Sequence, residues 1–246
     1  FIMARQDPNW GKLSEDRYAM FSTVTEKAVT GVDRQVGGLE IQDKYICHCS
    51  GACTAEEAFP GIHAQGAYAI SIHLLFPISS KYNCWRELAG AFFCVEGDTQ
   101  AVEVFVPLLR GLGLQVQTIS PESKAQYHLS CALASNFVCA LVQRSAELLS
   151  GCGFSETDAL HALAPLMRSN LAHVIEHGAV SALTGPIERG DTQTVQKHLS
   201  CLTERDDRQL YALLGLEQVK MAQEKHSEQD YGTLAALLNG EKEQNE

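Results

Sequence analysis

The sequence predicts an α/β half, residues 1–119, followed by an all-helical half, residues 120–246. In the first half, short runs rich in β-branched and aromatic residues alternate with amphipathic stretches, which is typical of βαβ units and a parallel sheet. After Ile119 no strand-like run occurs, and the remaining segments show helical spacing between turn signals. No low-complexity linker separates the two halves, so we expect them to abut at Ile119 and Ser120.

Five segments of the first half are predicted to be strands. They are residues 18–24, 44–49, 67–75, 91–95 and 114–119. Thr54 precedes the run Ala55-Glu56-Glu57 as a helix cap, and Asp98 precedes a run with apolar residues at helical spacing. Crossover helices of this kind pack on the faces of a sheet.

The second half is predicted to open with a long helix. Ser120 is a good N-cap, Pro121 suits the first helical position, and Glu122 favours the positive end of the helix dipole. No breaker follows until Gly151 and Gly153, so the helix should run to about residue 150.

Later helices are marked by caps and breakers. Ser155 can cap a second helix, which Pro165 should kink or split. Asp191 can cap a third, and a polar-rich helix should end near Lys225. The charged tail from Gly240 onward is expected to fray.

Composition limits the classes of partner and compartment. The formal net charge of -11 provides no basic face for nucleic acid. Nine cysteines lie in apolar runs without the spacing of a disulfide scaffold, which predicts reduced thiols and a cytoplasmic protein. The opening residues lack a signal-peptide pattern, and no uninterrupted apolar run reaches the roughly 18 residues of a membrane span. Residues 133–149 and 160–175 carry more apolar surface than a short sheet can cover, which predicts a homodimer.

Ligands of open parallel sheets bind outside the carboxyl ends of the strands. Here those ends carry Thr23-Val24, His48 and His73, and the Ser50-Gly51 turn could offer backbone N–H groups to an anion. An ordinary capped turn and two structural histidines are the alternative interpretation. Cys47 and Cys49 share one strand face and His48 the other, so we expect no metal site.

The first long helix carries a polar stripe. Lys124, His128 and Ser135 are spaced by four and seven residues, and Asn136 lies at the edge of the stripe. The Lys and the His could act as acid, base or carbonyl polariser, with Asn136 positioning a substrate hydroxyl. A solvated helix start with local backbone hydrogen bonds would explain the same residues.

Residues 183–191 join two predicted helices with turn residues and charges. Thr184, Glu188 and Arg189 could face the same cleft as Lys124. A purely structural turn is the alternative.

An ordered series of short motifs resembles domain of unknown function 2520 and the Rossmann-like domain that precedes it. The motifs are His48-Cys49-Ser50-Gly51-Ala52, Ser71-Ile72-His73, Val95-Glu96-Gly97-Asp98, Lys124-x-x-Tyr127-His128 with Ala134-Ser135-Asn136, and residues 183–191. The resemblance covers about residues 18–238. It implies an NADP- or NAD-dependent oxidoreductase, with a helical domain similar to the C-terminal domain of 6-phosphogluconate dehydrogenase and ketopantoate reductase.

The candidate residues fall into three predicted roles. Cofactor binding would involve Thr23, Val24, His48, Ser50 and Gly51. Catalysis would involve His73, Lys124, His128 and Asn136. Substrate binding would involve Ser135, Thr184, Glu188 and Arg189.

Four departures bear on these roles. The sequence contains no G-x-G-x-x-G loop, since Gly37-Gly38 and Gly111-x-Gly113 are incomplete. Thr25-Glu26 stands where the family usually has Pro-Asp, and Leu74 follows His73 where Pro is usual. His128 stands four residues after Lys124, where related hydroxyacid dehydrogenases have Asn.

Three functions therefore remain open. The first is an oxidoreductase acting on a small hydroxy or keto substrate in a cleft between the two halves. The second is a non-catalytic binding or regulatory protein that lacks a dinucleotide site. The third is a metal-dependent hydrolase using His48, His73 and His128.

Overall fold

A computed structural model describes residues 19–22, 40–77 and 90–243 of the chain. Five strands form one sheet in the order β1-β2-β3-β4-β5. They are Ala19–Ser22 (β1), Tyr45–His48 (β2), Tyr68–Leu75 (β3), Phe92–Gly97 (β4) and Gln115–Thr118 (β5). Each overlaps one of the five segments predicted from the sequence, so the α/β fold class is confirmed.

The sheet is parallel except at one pair. β1 with β2, β2 with β3, and β4 with β5 are parallel, whereas β3 and β4 are antiparallel. Leu75, at the end of β3, is paired with Phe92, at the start of β4. A chain that returns beside the end of its own strand needs no crossover helix, so this pair departs from the βαβ pattern.

Helices account for most of the remaining described chain. They are Ala55–Ala58 (α1), Thr99–Gly111 (α2), Lys124–Ala134 (α3), Asn136–Gly151 (α4), Glu156–His177 (α5), Ala179–Ala182 (α6), Thr192–Cys201 (α7), Arg205–Lys225 (α8) and Gly232–Glu243 (α9). The all-helical second half is confirmed: within the described residues, no strand follows β5.

Apolar residues cover both faces of the sheet. Side chains alternate along a strand, so Ile46 packs on one face against Phe59 of the turn after α1. Its neighbour Cys47 packs on the other face with Val95 and with Phe105 of α2. Burial on both faces explains why the central strand β2 is mostly apolar, whereas β5, with one buried residue, is mostly polar.

The predicted long helix is divided at Ser135, which has φ -127° and ψ -73°. The Ser135 hydroxyl donates to the Cys131 carbonyl at 2.7 Å, and such local bonds compete with regular helix geometry. Pro165, in contrast, lies inside α5 without ending it. The caps predicted at Ser155 and Asp191 are present, since Ser155 accepts from the Asp158 N–H and Asp191 from the Thr194 N–H. The side chain of Ser120 makes no capping hydrogen bond.

The chain divides into two compact units, one ending at Gln143 and the other beginning at Arg144. α3 therefore belongs with the sheet. The second unit has its own apolar core from α7, α8 and α9. α9 continues through Gly240 to Glu243, so the predicted fraying there is wrong. Arg208 explains this, because its guanidinium holds Glu241 through two hydrogen bonds of 2.6 and 2.7 Å.

Among the described residues, one helical stretch, Pro121–Gly151, passes a length and composition test for a membrane span. Its mean hydropathy is 1.2, and none of the tested window is buried. This stretch contains no long uninterrupted apolar run, because polar residues such as Gln126, His128 and Ser130 are scattered through it. A single such helix is weak evidence for a membrane.

Candidate active site

The turn after β2 is held by its own hydrogen bonds. The Ser50 N–H donates to Nδ1 of His48 at 3.1 Å, and the Cys53 N–H donates to Oγ of Ser50 at 3.2 Å. His48 is fully buried and Ser50 nearly so. The N–H groups of Ser50 and Cys53 are thus bonded within the turn, and the contacts of His48 and Ser50 are those of a structural turn.

Lys124 is the first residue of α3, and its side chain is buried inside the first compact unit, here called the α/β unit. Its ammonium donates to Oγ of Ser71 at 2.5 Å and lies 3.9 Å from Oε2 of Glu96. Glu96 also accepts from the Ala55 N–H at 3.0 Å. These bonds connect α3 to β3, β4 and the start of α1.

Burial dominates the acid–base properties of this pair. Burial lowers the pKa of Lys124, although Glu96 opposes that effect. Burial also raises the pKa of the Glu96 carboxyl, and the Ala55 N–H and Lys124 oppose it. Lys124 is only 1% exposed, and Ser71 and Glu96 hold its ammonium. Helical spacing predicts the face of a helix on which a residue lies but not the depth of its side chain. The direct catalytic role of Lys124 stays a prediction.

His73 and His128 meet above Gly51. Their ring centroids are 6.1 Å apart, at nearly a right angle. A Cβ added at Gly51 would lie 2.9 Å from Nε2 of His73 and closer still to the His128 ring. Only glycine leaves room for this approach, so the Ser50-Gly51 turn matters for its missing side chain more than for its N–H groups.

Tyr127 belongs to the motif Lys124-x-x-Tyr127-His128, and the sequence alone predicts no role for it. Its hydroxyl is 2.6 Å from Nδ1 of His73, and the two rings are nearly perpendicular. Burial raises the pKa of Tyr127, so its hydroxyl stays protonated. A phenol is a stronger donor than an imidazole N–H, so we assign Tyr127 as donor to Nδ1, which places the proton of neutral His73 on Nε2.

A cavity of about 550 Å³ lies beside the two histidines, within the α/β unit. Its lining comprises His73, Leu74, Leu75, Phe76, Pro77, His128, Cys131, Ala132, Ala134, Ser135, Asn136 and Cys139. Four of the residues predicted from the sequence thus line one cavity. Ser135 also donates to Oδ1 of Asn136 at 3.0 Å, so this polar pair is internally bonded.

The remaining predicted residues lie elsewhere or outside the described chain. Thr23 and Val24 lie outside the described residues. Glu188 pairs with His226 at 2.7 Å and Lys225 at 3.3 Å, and these partners, His226 first, lower its pKa. The Arg189 carbonyl accepts from Gln229, and Thr184 is exposed. These contacts lie inside the second compact unit, here called the helical unit, and they stabilise the turn in residues 183–191.

Within the described residues, no group of three or more His, Cys, Asp or Glu side chains is placed to hold a metal ion. His48 is buried in its turn and bonded to the Ser50 N–H. The metal-dependent hydrolase hypothesis therefore gains no support from the three histidines.

Residues 91–218 match the family described as Domain of unknown function (DUF2520). The chain belongs to this family. Among curated proteins, nothing matches the chain.

Solved structures share the fold of this DUF2520 protein at low sequence identity. A Thermotoga maritima protein is 24% identical, covers 87% of this chain and 81% of its own, and has a TM-score of 0.69. A candidate NADP oxidoreductase from Bacteroides fragilis is 17% identical, with 82% and 75% coverage and a TM-score of 0.66. A reductive aminase from Aspergillus terreus in complex with NADPH and ethyl-5-oxohexanoate is 14% identical, with 91% and 73% coverage and a TM-score of 0.50. The chain therefore shares its fold with these proteins.

Two of these neighbours are named with NADP or NADPH, and the described residues after β2 in this DUF2520 chain fit a pyrophosphate poorly. The Ser50 and Cys53 N–H groups are engaged in the turn, and the space over Gly51 holds two histidine rings. The sequence has no G-x-G-x-x-G loop. Among the described residues, the turn after β2 thus offers no cradle for a pyrophosphate.

Proposed function

We propose that this DUF2520 protein is an oxidoreductase-type enzyme that acts on a small hydroxy or keto compound, with His73 and His128 as its proton-transfer groups. The observation that carries the proposal is the approach of these two rings over Gly51, at the edge of the cavity. Reduction of a carbonyl requires a proton at the oxygen, and oxidation of a hydroxyl requires its removal. Imidazole is suited to both steps near neutral pH.

Each neighbouring group has a part in this proposal. Tyr127 orients His73 and keeps Nδ1 as an acceptor, so the Nε2 proton is the one available for transfer. Lys124 acts indirectly, by fixing the start of α3 and therefore the ring of His128 one turn later. Asn136, whose carbonyl oxygen is bonded by Ser135, presents its amide N–H groups to a substrate at the other end of the cavity.

The test is turnover with a panel of ketones and secondary alcohols and millimolar NADP(H) or NAD(H). We expect His73→Gln and His128→Gln each to lower kcat/KM by about 10²- to 10⁴-fold, the usual contribution of a general acid or base. His161→Gln is the matched control, because His161 is exposed on α5 and is not among the residues that line the cavity. Wild-type rates in both site variants would contradict the proposal.

We propose NADP or NAD as co-substrate because two neighbours of the same fold are named with NADP or NADPH. Binding by this chain should be weak, since the sequence lacks the glycine-rich loop that normally holds the pyrophosphate. Calorimetry should detect no micromolar affinity for either dinucleotide. Micromolar binding would mean that other residues hold the phosphates.

The second candidate is a non-catalytic binding protein, and it is favoured by the turn after β2, whose Ser50 and Cys53 N–H groups are already bonded within the turn. The two candidates differ in one measurement. A binding protein would hold a ketone in the cavity without oxidising any dinucleotide, even at millimolar concentration. Net turnover that depends on His73 would exclude it.

We further propose a homodimer formed through α4 and α5. These helices expose large apolar side chains, including Phe137, Leu166 and Ile175, the last two at 67% and 75% exposure. Exposed apolar surface of this extent marks an interface in soluble proteins. Light scattering should return a dimer at micromolar protein. A monomer would defeat the proposal, and co-flotation with lipid vesicles would favour a membrane contact instead.

We also propose that the protein is cytoplasmic. Eight cysteines lie in the described chain, and none forms a disulfide, as expected for a reducing compartment. Thiol labelling of the protein in intact cells should find these cysteines reduced.

A further inference from the structure

Among the described residues that line the cavity beside His73, none carries a formal charge of the Lys, Arg, Asp or Glu kind. Half of its lining is aliphatic, aromatic or prolyl, and two further members are thiols. Its polar groups lie at two places, His73 and His128 at one and Ser135 and Asn136 at the other. His128 and Ser135 are seven residues apart, which corresponds to about 10 Å along a helix.

Lys124 is the cation that starts the same helix, and it does not serve this cavity. It is 1% exposed and its ammonium is held by Ser71 and Glu96. The Glu96 carboxylate beside it offsets its charge. An anion entering the cavity would therefore lose its hydration without gaining a cationic partner among the described residues, which is strongly unfavourable.

We infer that the cavity takes a neutral ketone or aldehyde with an apolar body, its carbonyl oxygen directed to His73 and His128. The choice of a carbonyl rests on the proposed function, and the choice of a neutral apolar body rests on the lining alone. A volume of about 550 Å³ lies within the range of pockets for drug-sized ligands. The inference excludes hydroxy acids and sugar phosphates, which the hydroxyacid dehydrogenase resemblance would have suggested.

Two probes of nearly the same shape separate charge from size. They are methyl 4-oxocyclohexanecarboxylate, which is neutral, and 4-oxocyclohexanecarboxylate, which is an anion. Binding is followed by NMR on protein with labelled histidines, so that no turnover is needed. We expect the ester to bind at least tenfold more tightly than the acid and to shift the His73 and His128 signals while leaving His161 unchanged.

A gain-of-function variant tests the same point from the other side. Ala134 lines the cavity and is exposed, so a longer side chain there should not disturb folding. Ala134→Arg should strengthen binding of the acid at least tenfold, and Ala134→Gln, which is long but neutral, should not. An unchanged acid affinity in Ala134→Arg would show that the ligand body does not lie along the cavity, and would overturn the inference.

The remaining outcomes are equally decisive. Wild-type protein that binds the acid as tightly as the ester, or binds neither, overturns the inference. Ester binding that shifts both histidines, without any turnover of the ester with dinucleotide, leaves the inference standing and removes the proposed enzymatic function. The two proposals can therefore fail separately.

Discussion

The two compact units differ in whether they bury polar side chains. Within the described chain, all buried polar or charged side chains belong to the α/β unit. They are His48, Ser50, Ser71, Glu96 and Lys124. The helical unit fills its core with apolar residues such as Val195, Leu199 and Leu238 and keeps its ion pairs nearer the surface. Burying polar groups is costly unless they are bonded, so their presence marks the α/β unit as the one that carries the candidate chemistry.

The largest expected effect is the loss of one member of the buried pair. Lys124→Met leaves Glu96 charged and enclosed, and should lower the free energy of unfolding by about 3–5 kcal/mol. The double variant Lys124→Met with Glu96→Gln should recover most of this loss, because the amide oxygen can still accept from the Ala55 N–H. Urea unfolding measures both. A double variant as unstable as the single one would show that the packing of Lys124, and not its charge, is what matters.

The same variants should differ in their dependence on pH. Burial raises the pKa of Glu96 in the folded state, and removing Lys124 raises it further. A raised folded-state pKa gives stability that is present below the unfolded value, about 4.3, and lost as pH rises through the folded value. The stability gap between Lys124→Met and the double variant should thus be widest at neutral pH and narrow on acidification. A gap that stays constant from pH 7 to pH 4 would contradict the burial of a charged Glu96.

Gly51→Ala should have a smaller effect on stability and a large one on the site. The added methyl would displace the rings of His73 and His128, with an overpacking cost of about 1–3 kcal/mol. The histidine NMR signals of both rings should shift, and any His73-dependent activity should fall. Gly111→Ala is the control, because a Cβ there meets nothing within 4 Å and should stabilise slightly. Unchanged histidine signals in Gly51→Ala would disprove the close approach.

The smallest effect is expected in the helical unit. Arg208 and Glu241 form a two-bond ion pair whose arginine is about a third exposed. Glu241→Gln should lower the free energy of unfolding by about 0.2–1 kcal/mol, since solvent and salt screen the pair. Repeating the measurement in high salt should reduce the difference between variant and wild type. A loss as large as that of Lys124→Met would remove the contrast between the two units.

Local signals in the sequence predicted local structure well. The five strand segments and the caps at Ser155 and Asp191 depend on neighbouring residues, and all are present. The tail after Gly240 was mispredicted because its partner, Arg208, lies 33 residues away from Glu241. The antiparallel pairing of β3 and β4 was missed for a similar reason, since strand direction is set by the path of the connection and not by strand composition.

The candidate site divides along the same line. Helical spacing brought His128, Ser135 and Asn136 to one cavity, and the rule for strand ends added His73. Helical spacing could not show that the Lys124 side chain points inward, because that depends on Ser71 of β3 and Glu96 of β4. It also gave no role to Tyr127, whose importance rests on a contact with His73 across 54 residues.

The bond from Lys124 to Ser71 spans 53 residues of sequence, and this separation has a kinetic consequence. Closing so long a loop costs chain entropy that local contacts must first offset, so such contacts form late in folding. The first turn of α3 can dock only onto an assembled pair of strands, β3 and β4. The cavity wall that α3 provides should therefore be completed last, and amide hydrogens at the start of α3 should exchange with solvent before those of β3.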